Sequence, residues 1–398
     1  MDKNIVIIGG GFAGVRVALD LAKKHSRLKG HRLILIDRNT YHLFTPWLYE
    51  RATTGAKMQA IKIPHAKIFK NKPIELVRGE VTDVNRANQQ LTLDNGQVVN
   101  FEFLVLACGS IPNDFHVSGV QKYGLYLKNY EDAEKIRRTT KMKFREFLKN
   151  HEDGDVFQVL IAGGGFTGVE LAAELHAYLK ELEPKRKRRG LFAVKIVEAG
   201  DKLLGPMPEW FSRHAQDRLG HYRRIEVLLQ NQIKKITNGT AYVMNGDKLA
   251  FDLFVWTGGI KANPVGEMCE VETHQGHVRA TSTLQSRTDK RIFAAGDCSF
   301  CIDPVSRKRA VQTIENAYSQ AQVVAENIIK SINKEKLVRF KPHSSGQIVP
   351  IRGDWAISNI FFPLKGYWAY VLHRLIFLRY FMWILPWSEA WRRWNDKK

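Results

Sequence analysis

Two glycine-rich turns of one design constrain this chain more than any other feature: Gly9-Gly10-Gly11-Phe12-Ala13-Gly14 and Gly163-Gly164-Gly165-Phe166-Thr167-Gly168. A short apolar run, 4–8, leads into the first turn, and a helical pattern with Val15, Ala18, Leu19 and Ala22 on one face follows it. A second apolar run, 33–36, then ends at Asp37, 23 residues past Gly14. This order, strand, glycine turn, helix, strand and acid, is that of a dinucleotide-binding unit. The glycines permit a tight turn and let the backbone approach a pyrophosphate, whose charge then rests on the helix N-terminus. Asp37 is placed to accept hydrogen bonds from a ribose. The second copy runs from the strand 156–161 through Gly163, Gly165 and Gly168 into a helix, and closes on Glu198 after the strand 192–197. Two units imply two dinucleotides, and acids at both strand ends fit unphosphorylated 2′-hydroxyls, hence NADH rather than NADPH.

The rest of the chain reads as α/β. Apolar strands at 103–107, 254–257 and 291–295 each stop at glycine, the last running into Gly296-Asp297, and a long helical pattern begins near Thr313. Alternating segments at 74–84 and 90–99 predict a small antiparallel meander. The expected architecture is two Rossmann-like dinucleotide-binding domains with a C-terminal membrane-associating helical segment. Its boundaries fall at 1–115, 116–268, 269–335 and 336–398.

A length of 398 residues suits two or three domains, and 44% hydrophobic residues exclude global disorder. A formal charge of +21 calls for an anionic partner: a membrane surface, a phosphorylated ligand or nucleic acid. Four cysteines are too few for a disulfide framework, which points to a reducing compartment. The opening residues lack the pattern of a signal or transit peptide, and no uncharged apolar stretch is long enough to span a bilayer. The expectation is a cytosolic protein or one attached to a membrane from the cytosolic side.

On these motifs the chain resembles the two-dinucleotide-binding-domain flavoproteins, the pyridine nucleotide–disulfide reductase-like superfamily. Carrying the resemblance are both glycine motifs with Asp37 and Glu198, the segments 107–109 and 257–259, and Ala295-Gly296-Asp297. Within the superfamily it looks most like the type II NADH:quinone oxidoreductases. Four pieces carry that: the loop 42–50 (HLFTPWLYE), the motif 165–171 (GFTGVEL), the segment 310–316 (AVQTIEN) where the family has its A-Q-x-x-x-Q quinone motif, and a basic, aromatic tail. The resemblance implies FAD held by the first unit and by the chain from about 270 to 335, with NADH on the inserted unit. It assigns cofactor contacts to Gly9, Gly11, Phe12, Ala13, Gly14, Asp37, Arg38, Thr45, Val81, Ala107, Gly109, Gly296 and Asp297. For the second nucleotide it assigns Gly163, Gly165, Gly168, Glu198 and Gly259. Catalytic roles fall to Glu170, Gln312 and Asn316, Asn316 standing where the family usually has Gln, one methylene longer.

Disulfide reductases of this superfamily pass electrons to a cysteine pair beside the flavin, but the matching loop here, 38–55, has no cysteine. The acceptor must then reach the flavin directly, as a quinone does. Gln312 and Asn316, one helical turn apart, are expected to face a common spot as uncharged amides, or to sit on a solvated helix face. Glu170 reads as a first-turn carboxylate favoured by the helix dipole, or as a group that orients the nicotinamide or delivers a proton. Cys298 and Cys301 form a C-x-x-C without a second pair for zinc, and no metal site is expected. They are either small residues packed beside the cofactor or the mark of a sulfide:quinone oxidoreductase. Cys108 and Cys269 read as buried small hydrophobes.

The tail from Phe361 holds five of the nine tryptophans, with seven basic residues against Glu389 and Asp396. Trp and Tyr favour the headgroup level and Arg and Lys attract anionic lipid, so 367–385 is expected to lie in the interface. The basic run 185–189 reads as a solvated loop or a further lipid contact. The expectation is a peripheral enzyme on the cytoplasmic face of the cell membrane, a homodimer whose partners are a membrane quinone and anionic lipid. Charge alone supports the other class, an electropositive apoptosis-inducing-factor-like flavoprotein. No nucleic-acid fold accompanies it, and none is expected as partner.

Overall fold

A computed structural model describes residues 3–150, 152, 154–184, 190–302, 307, 309–342 and 345–395. The basic run 185–189 and the last three residues lie outside the described residues. Contacts divide the chain into two compact units. The first comprises Met1–Leu43, Lys62–Ile111 and Ile260–Ser344; the second comprises Phe44–Ile61, Pro112–Gly259 and Ser345–Lys398. Position in the chain places 44–61 in the first sequence segment, whereas its contacts place it in the second unit.

In the first unit, five parallel strands stand in the order 292–294, 103–106, 4–8, 32–37 and 75–78. Val6, Ile8, Ile34, Ile36, Leu104 and Leu106 are buried in its core, so both ends of the dinucleotide turn are anchored in rigid strands. The helix Phe12–Lys23 packs against the helix Ile314–Ile332. That second neighbour explains a difference from the sequence expectation: Val17 and Leu21 are fully buried beside Val15 and Ala18, while Leu19 and Ala22 are only half-buried. One stripe meets the sheet and another meets the helix. The meander is present over 81–100, as strands 81–85, 90–93 and 98–100. Glu75–Arg78, expected in the meander, pairs in parallel with Ile34–Asp37 and edges the main sheet instead.

The second unit repeats the plan. Parallel strands 125–126, 253–256, 157–162, 192–197 and 225–228 form its main sheet, and 233–237, 240–243 and 248–250 form its meander. The same unit holds the C-terminal strands 348–350, 356–358 and 364–366, then the helices Tyr367–Ile384 and Trp387–Asn395, separated at Pro386. Ala369, His373, Phe377, Phe381 and Ile384 lie at helical spacing on the buried face. Phe44 and Trp47, each at most 1% exposed, fill that face, with Phe44 centroids 4.9 Å from Phe377 and 4.8 Å from Phe381. Trp394 Nε1 donates to Arg374 O at 2.6 Å, and the Arg374 guanidinium lies 4.6 Å over the Trp394 ring, pinning the two helices together. Two of the polar breaks in 367–385, His373 and Arg374, are thus spent inside the fold. Among the described residues no helix is long and apolar enough to cross a membrane.

The glycine turns explain why each helix starts where it does. A Cβ on Gly168 would stand 1.9 Å from Gly163 O, whereas one on Gly165 would meet nothing within 4 Å. Gly168→Ala is therefore expected to cost about 1–3 kcal/mol by overpacking, and Gly165→Ala to stay within about 1 kcal/mol. Denaturant titration of the two variants checks this; equal losses would show that the close approach does not hold the turn.

Candidate functional site

Each unit carries a cradle at the C-terminal end of its sheet, built the same way. In the first, Gly9 has φ +102° and a Cβ there would stand 2.4 Å from Ala107 O, while one on Gly14 would stand 1.8 Å from Gly9 O. The helix start is thereby drawn down onto the strand end. Gly11 faces open space, with nothing within 4 Å of an added Cβ, so a phosphate can come up against the backbone there. Asp37 ties the turn from the other side: Gly10 N donates to its Oδ2 at 2.5 Å and Asn39 N to its Oδ1 at 2.6 Å. Each oxygen keeps lone-pair capacity for a ribose hydroxyl. Gly296, at φ +78°, brings the Gly296–Cys298 turn within 3.2 Å of Ala13 Cβ as measured from an added Cβ. Asp297 Oδ2 accepts from Ser110 Oγ at 2.6 Å. Ala107 and Val81 are buried beside this site, while Arg38 is exposed, 3.7 Å from Glu80. Thr45 belongs to the second unit, at the start of the short helix Thr45–Trp47.

The second cradle matches it closely. Gly163 has φ +105° with a Cβ meeting Thr257 O at 2.7 Å, and Gly165 is open as Gly11 is. Gly164 N donates to Glu198 Oε2 at 2.5 Å and Gly200 N to Glu198 Oε1 at 2.7 Å. Gly259 closes the Trp256–Gly259 segment against Phe115, whose ring would lie 2.7 Å from an added Cβ. Both cradles therefore fit a dinucleotide of the kind the sequence implies: open where the pyrophosphate passes, acidic where the ribose sits.

Three local arrangements differ from the sequence expectation. Glu170 is not in the first turn: its helix runs Phe166–Leu182, Glu170 is the fifth residue, and the first turn holds no acid. The dipole fades over that distance, and burial pushes the Glu170 carboxyl well above its usual range, with Glu50 and Glu174 adding to the effect. Glu50 and Glu174 are buried, and the Arg352 guanidinium lies 3.1 Å from Glu174 Oε2. The same burial raises Tyr49, beside these acids.

Gln312 and Asn316 do not share a helical face. Thr313 is the N-cap, its Oγ1 accepting from Asn316 N at 3.2 Å, so Gln312 precedes the helix. Gln312 Nε2 donates to Asp297 O at 2.8 Å and lies 3.3 Å from His277 Nε2. Asn316 Nδ2 donates to Val311 O at 2.8 Å, and its buried Oδ1 has no partner among the described residues. The cysteine pair is also divided. Cys298 Sγ bonds Leu106 O at 3.0 Å, whereas Cys301 Sγ lies near Ile302 O at 3.8 Å. The neighbour of Cys298 is Cys108, whose thiol is raised well above its usual range by bonding to Cys298 and by burial. Burial pushes Cys269 up to about 12.

The sequence reading missed two imidazoles against the first cradle. His42 Nδ1 and His65 Nε2 each lie 3.2 Å from Gly10 O, and both residues are buried. Burial lowers His42 to about 3 and lowers His65, so both rings are neutral at neutral pH and can donate to the carbonyl. The loop 42–50 was visible in the sequence; His65, from a separate strand end, carried no signal.

Two cradles of this build place the chain in the class of oxidoreductases made from a pair of dinucleotide-binding folds. Residues 3–321 match the pyridine nucleotide-disulphide oxidoreductase family, and the chain belongs to that family. Among curated relatives, a type II NADH:quinone oxidoreductase of Haemophilus influenzae is 28% identical over 388 residues, covering 90% of this chain and 87% of the relative. That of Staphylococcus aureus is 25% identical, covering 94% of each. Among solved structures, NDH2 from Plasmodium falciparum in complex with NADH aligns with a TM-score of 0.87 at 18% identity, covering 100% of this chain and 97% of that one.

The Glu170 arrangement has a measurable sign. Its folded-state pKa lies above the unfolded one, so its contribution is complete below the unfolded value and is lost as pH rises through the folded value. Glu170→Gln is expected to match the parent in stability near pH 4 and to exceed it by a growing margin as pH rises above the unfolded value, with a slope of at most about 1.4 kcal/mol per pH unit, until the folded value is passed. Parallel denaturation curves check this, and a constant difference across pH would show that Glu170 is not held neutral.

Proposed function

We propose that the chain is an FAD-dependent NADH:quinone oxidoreductase that works at a membrane surface. The observation that carries this is the repeated cradle, twice ending in an acid bonded to the second glycine amide, in a chain similar along most of its length to curated type II NADH:quinone oxidoreductases. Bound FAD would supply a hydride acceptor for NADH and a two-electron donor for a quinone. Gly9, Gly11, Gly14 and Asp37, with Gly296 and Asp297, hold FAD, and Phe12, Ala13, Arg38, Val81, Ala107 and Gly109 complete that assignment in the first unit. Gly163, Gly165, Gly168, Glu198 and Gly259 hold NADH, Glu198 repelling a 2′-phosphate. The loop 38–55 has no cysteine, so no disulfide relay stands in the path of electrons there.

Gln312 and Asn316 serve the quinone. Gln312 is locked to Asp297 O, and the unmatched buried Oδ1 of Asn316 is an acceptor suited to a quinol hydroxyl. Leaving such an acceptor unpaired costs about 1–3 kcal/mol, which a hydroxyl donor would offset. The shortened amide is thus already braced through Nδ2 to Val311 O. Burial raises the Glu170 carboxyl well above its usual range, which favours its protonated form and suits it to proton delivery.

Attachment is to the cytoplasmic face of the cell membrane, through the C-terminal helices of a homodimer. Supporting this are the outward rings of Tyr367, Trp368, Trp387 and Trp391, with Trp368 69% exposed. Exposed aromatic rings of this density fit the headgroup level.

The protein as purified is expected to be yellow, and NADH to bleach its flavin band within one turnover. Bleaching by sulfide but not by NADH would overturn the reading in favour of a sulfide oxidoreductase. For Asn316→Ala, bleaching by NADH should survive while quinone reduction falls about tenfold or more, the scale of one lost hydrogen bond to the reacting group. Loss of the bleaching step instead would remove Asn316 from the quinone side. Deleting 361–398 should release the chain from membrane pellets, and continued pelleting would refute attachment through the tail.

A further inference from the structure

The second unit contains a basic cavity apart from its glycine cradle. It measures about 620 Å³ and lies between the helix Glu209–Gly220 and the C-terminal hairpin, lined by His214, Arg218, His221, Trp355 and Lys365, with Asp217 on its wall. We propose that this cavity binds the phosphodiester of an anionic phospholipid headgroup, a site that rests on the membrane attachment proposed above and sharpens it.

The donors are held ready. His214 Nδ1 lies 2.9 Å from Trp210 O, which fixes the proton on that nitrogen and leaves Nε2 as an acceptor. Lys365 Nζ donates to Nε2 at 2.9 Å, so one ammonium hydrogen is committed and two remain for a ligand. Arg218 is fixed by Nε to Ile351 O at 3.3 Å and by Nη2 to Arg352 O at 3.2 Å, with its guanidinium 5.1 Å from the Trp355 ring centroid. Among the described residues neither Lys365 nor Arg218 meets a carboxylate in an ion pair. Two positioned cations facing one exposed Asp217 leave a surplus that an anionic oxygen can satisfy.

The hairpin that supplies Lys365 also supplies the depth gauge. Lys365 pairs with Ile357 at its base, while its tip presents Phe361 and Phe362, 85% and 61% exposed. Phe361 is held at φ +67°, a region costly for a bulky side chain, and yet its ring packs on little of the protein. From Phe362 to Lys365 the chain advances three residues, a reach of at most about 10 Å. That matches the roughly 5–10 Å by which interfacial apolar groups lie below the headgroups. Rings at the acyl boundary would thus put Lys365 at the level of the phosphates, beside the exposed Trp368.

The test uses the full chain, with vesicles of phosphatidylcholine alone or with phosphatidylglycerol added. Lys365→Gln should weaken binding to the phosphatidylglycerol vesicles about fivefold, the equivalent of the about 1 kcal/mol that one Lys supplies near an anionic surface. Binding to phosphatidylcholine alone should be unchanged, and Lys248→Gln, an exposed lysine elsewhere in the unit, should behave as the parent. Equal behaviour of the two variants overturns the proposal. In a second arm, the His214 imidazole resonances should shift with short-chain phosphatidylglycerol and not with inorganic phosphate at the same concentration. The same shift from phosphate alone makes this a free-phosphate site and overturns the lipid assignment, as does silence to both. A chain that binds no vesicle while His214 responds to the short-chain lipid refutes the membrane attachment but sustains the cavity.

Discussion

The approach of a glycine Cα to a carbonyl oxygen governs everything built above it in both units. A Cβ at Gly14 or Gly168 would fall within 2 Å of the carbonyl of Gly9 or Gly163, so only hydrogen fits. Because the helix can sit that low, its unpaired N-terminal amides lie over the end of the sheet rather than beside it. The acid at the end of the next strand then reaches the second glycine amide at 2.5 Å in both cradles. One steric allowance thereby fixes the turn, the helix direction and the place of the acid together. The match between the two copies is what makes two dinucleotides, rather than one, the natural content of the fold.

Burial, rather than the helix dipole, sets the character of the enclosed polar groups in each unit. Glu170 sits one turn too deep to gain from the dipole, and burial, with Glu50 and Glu174 adding to it, raises its carboxyl well above the usual range. His42 and His65 are neutral for the same reason with the opposite sign, desolvation disfavouring the imidazolium. The Arg352 guanidinium, 3.1 Å from Glu174 Oε2, offsets part of the charge gathered in this cluster.

The features legible in the sequence were those whose cause is local. Glycine spacing, the strand-end acids and the helix pattern after Thr313 all arise within a few residues, and each is found where the spacing put it. The features that escaped depend on register between distant strands. Cys108 meets Cys298 because 103–106 pairs with 292–294, which no spacing within Cys298-x-x-Cys301 could reveal. The Gln312 and Asn316 geometry failed for a smaller reason. Thr313 caps the helix one residue after Gln312, so a four-residue spacing that looks helical straddles a helix boundary. Leu19 and Ala22 went astray because a helix touched on two sides has two buried stripes, and periodicity reports only their average.

Two long departures interrupt the first unit, and each returns beside the point where it left. Leu43 pairs with Lys62 across the first, and Asn263 N donates to Gly109 O at 3.3 Å across the second. The ends of each excursion are closed by the first unit's own hydrogen bonds, so the length of chain between them adds little to the entropy of closure. In evolutionary terms such a frame is permissive. What lies between 43 and 62, or between 109 and 263, can be lengthened, shortened or exchanged while the sheet around Asp37 keeps its register.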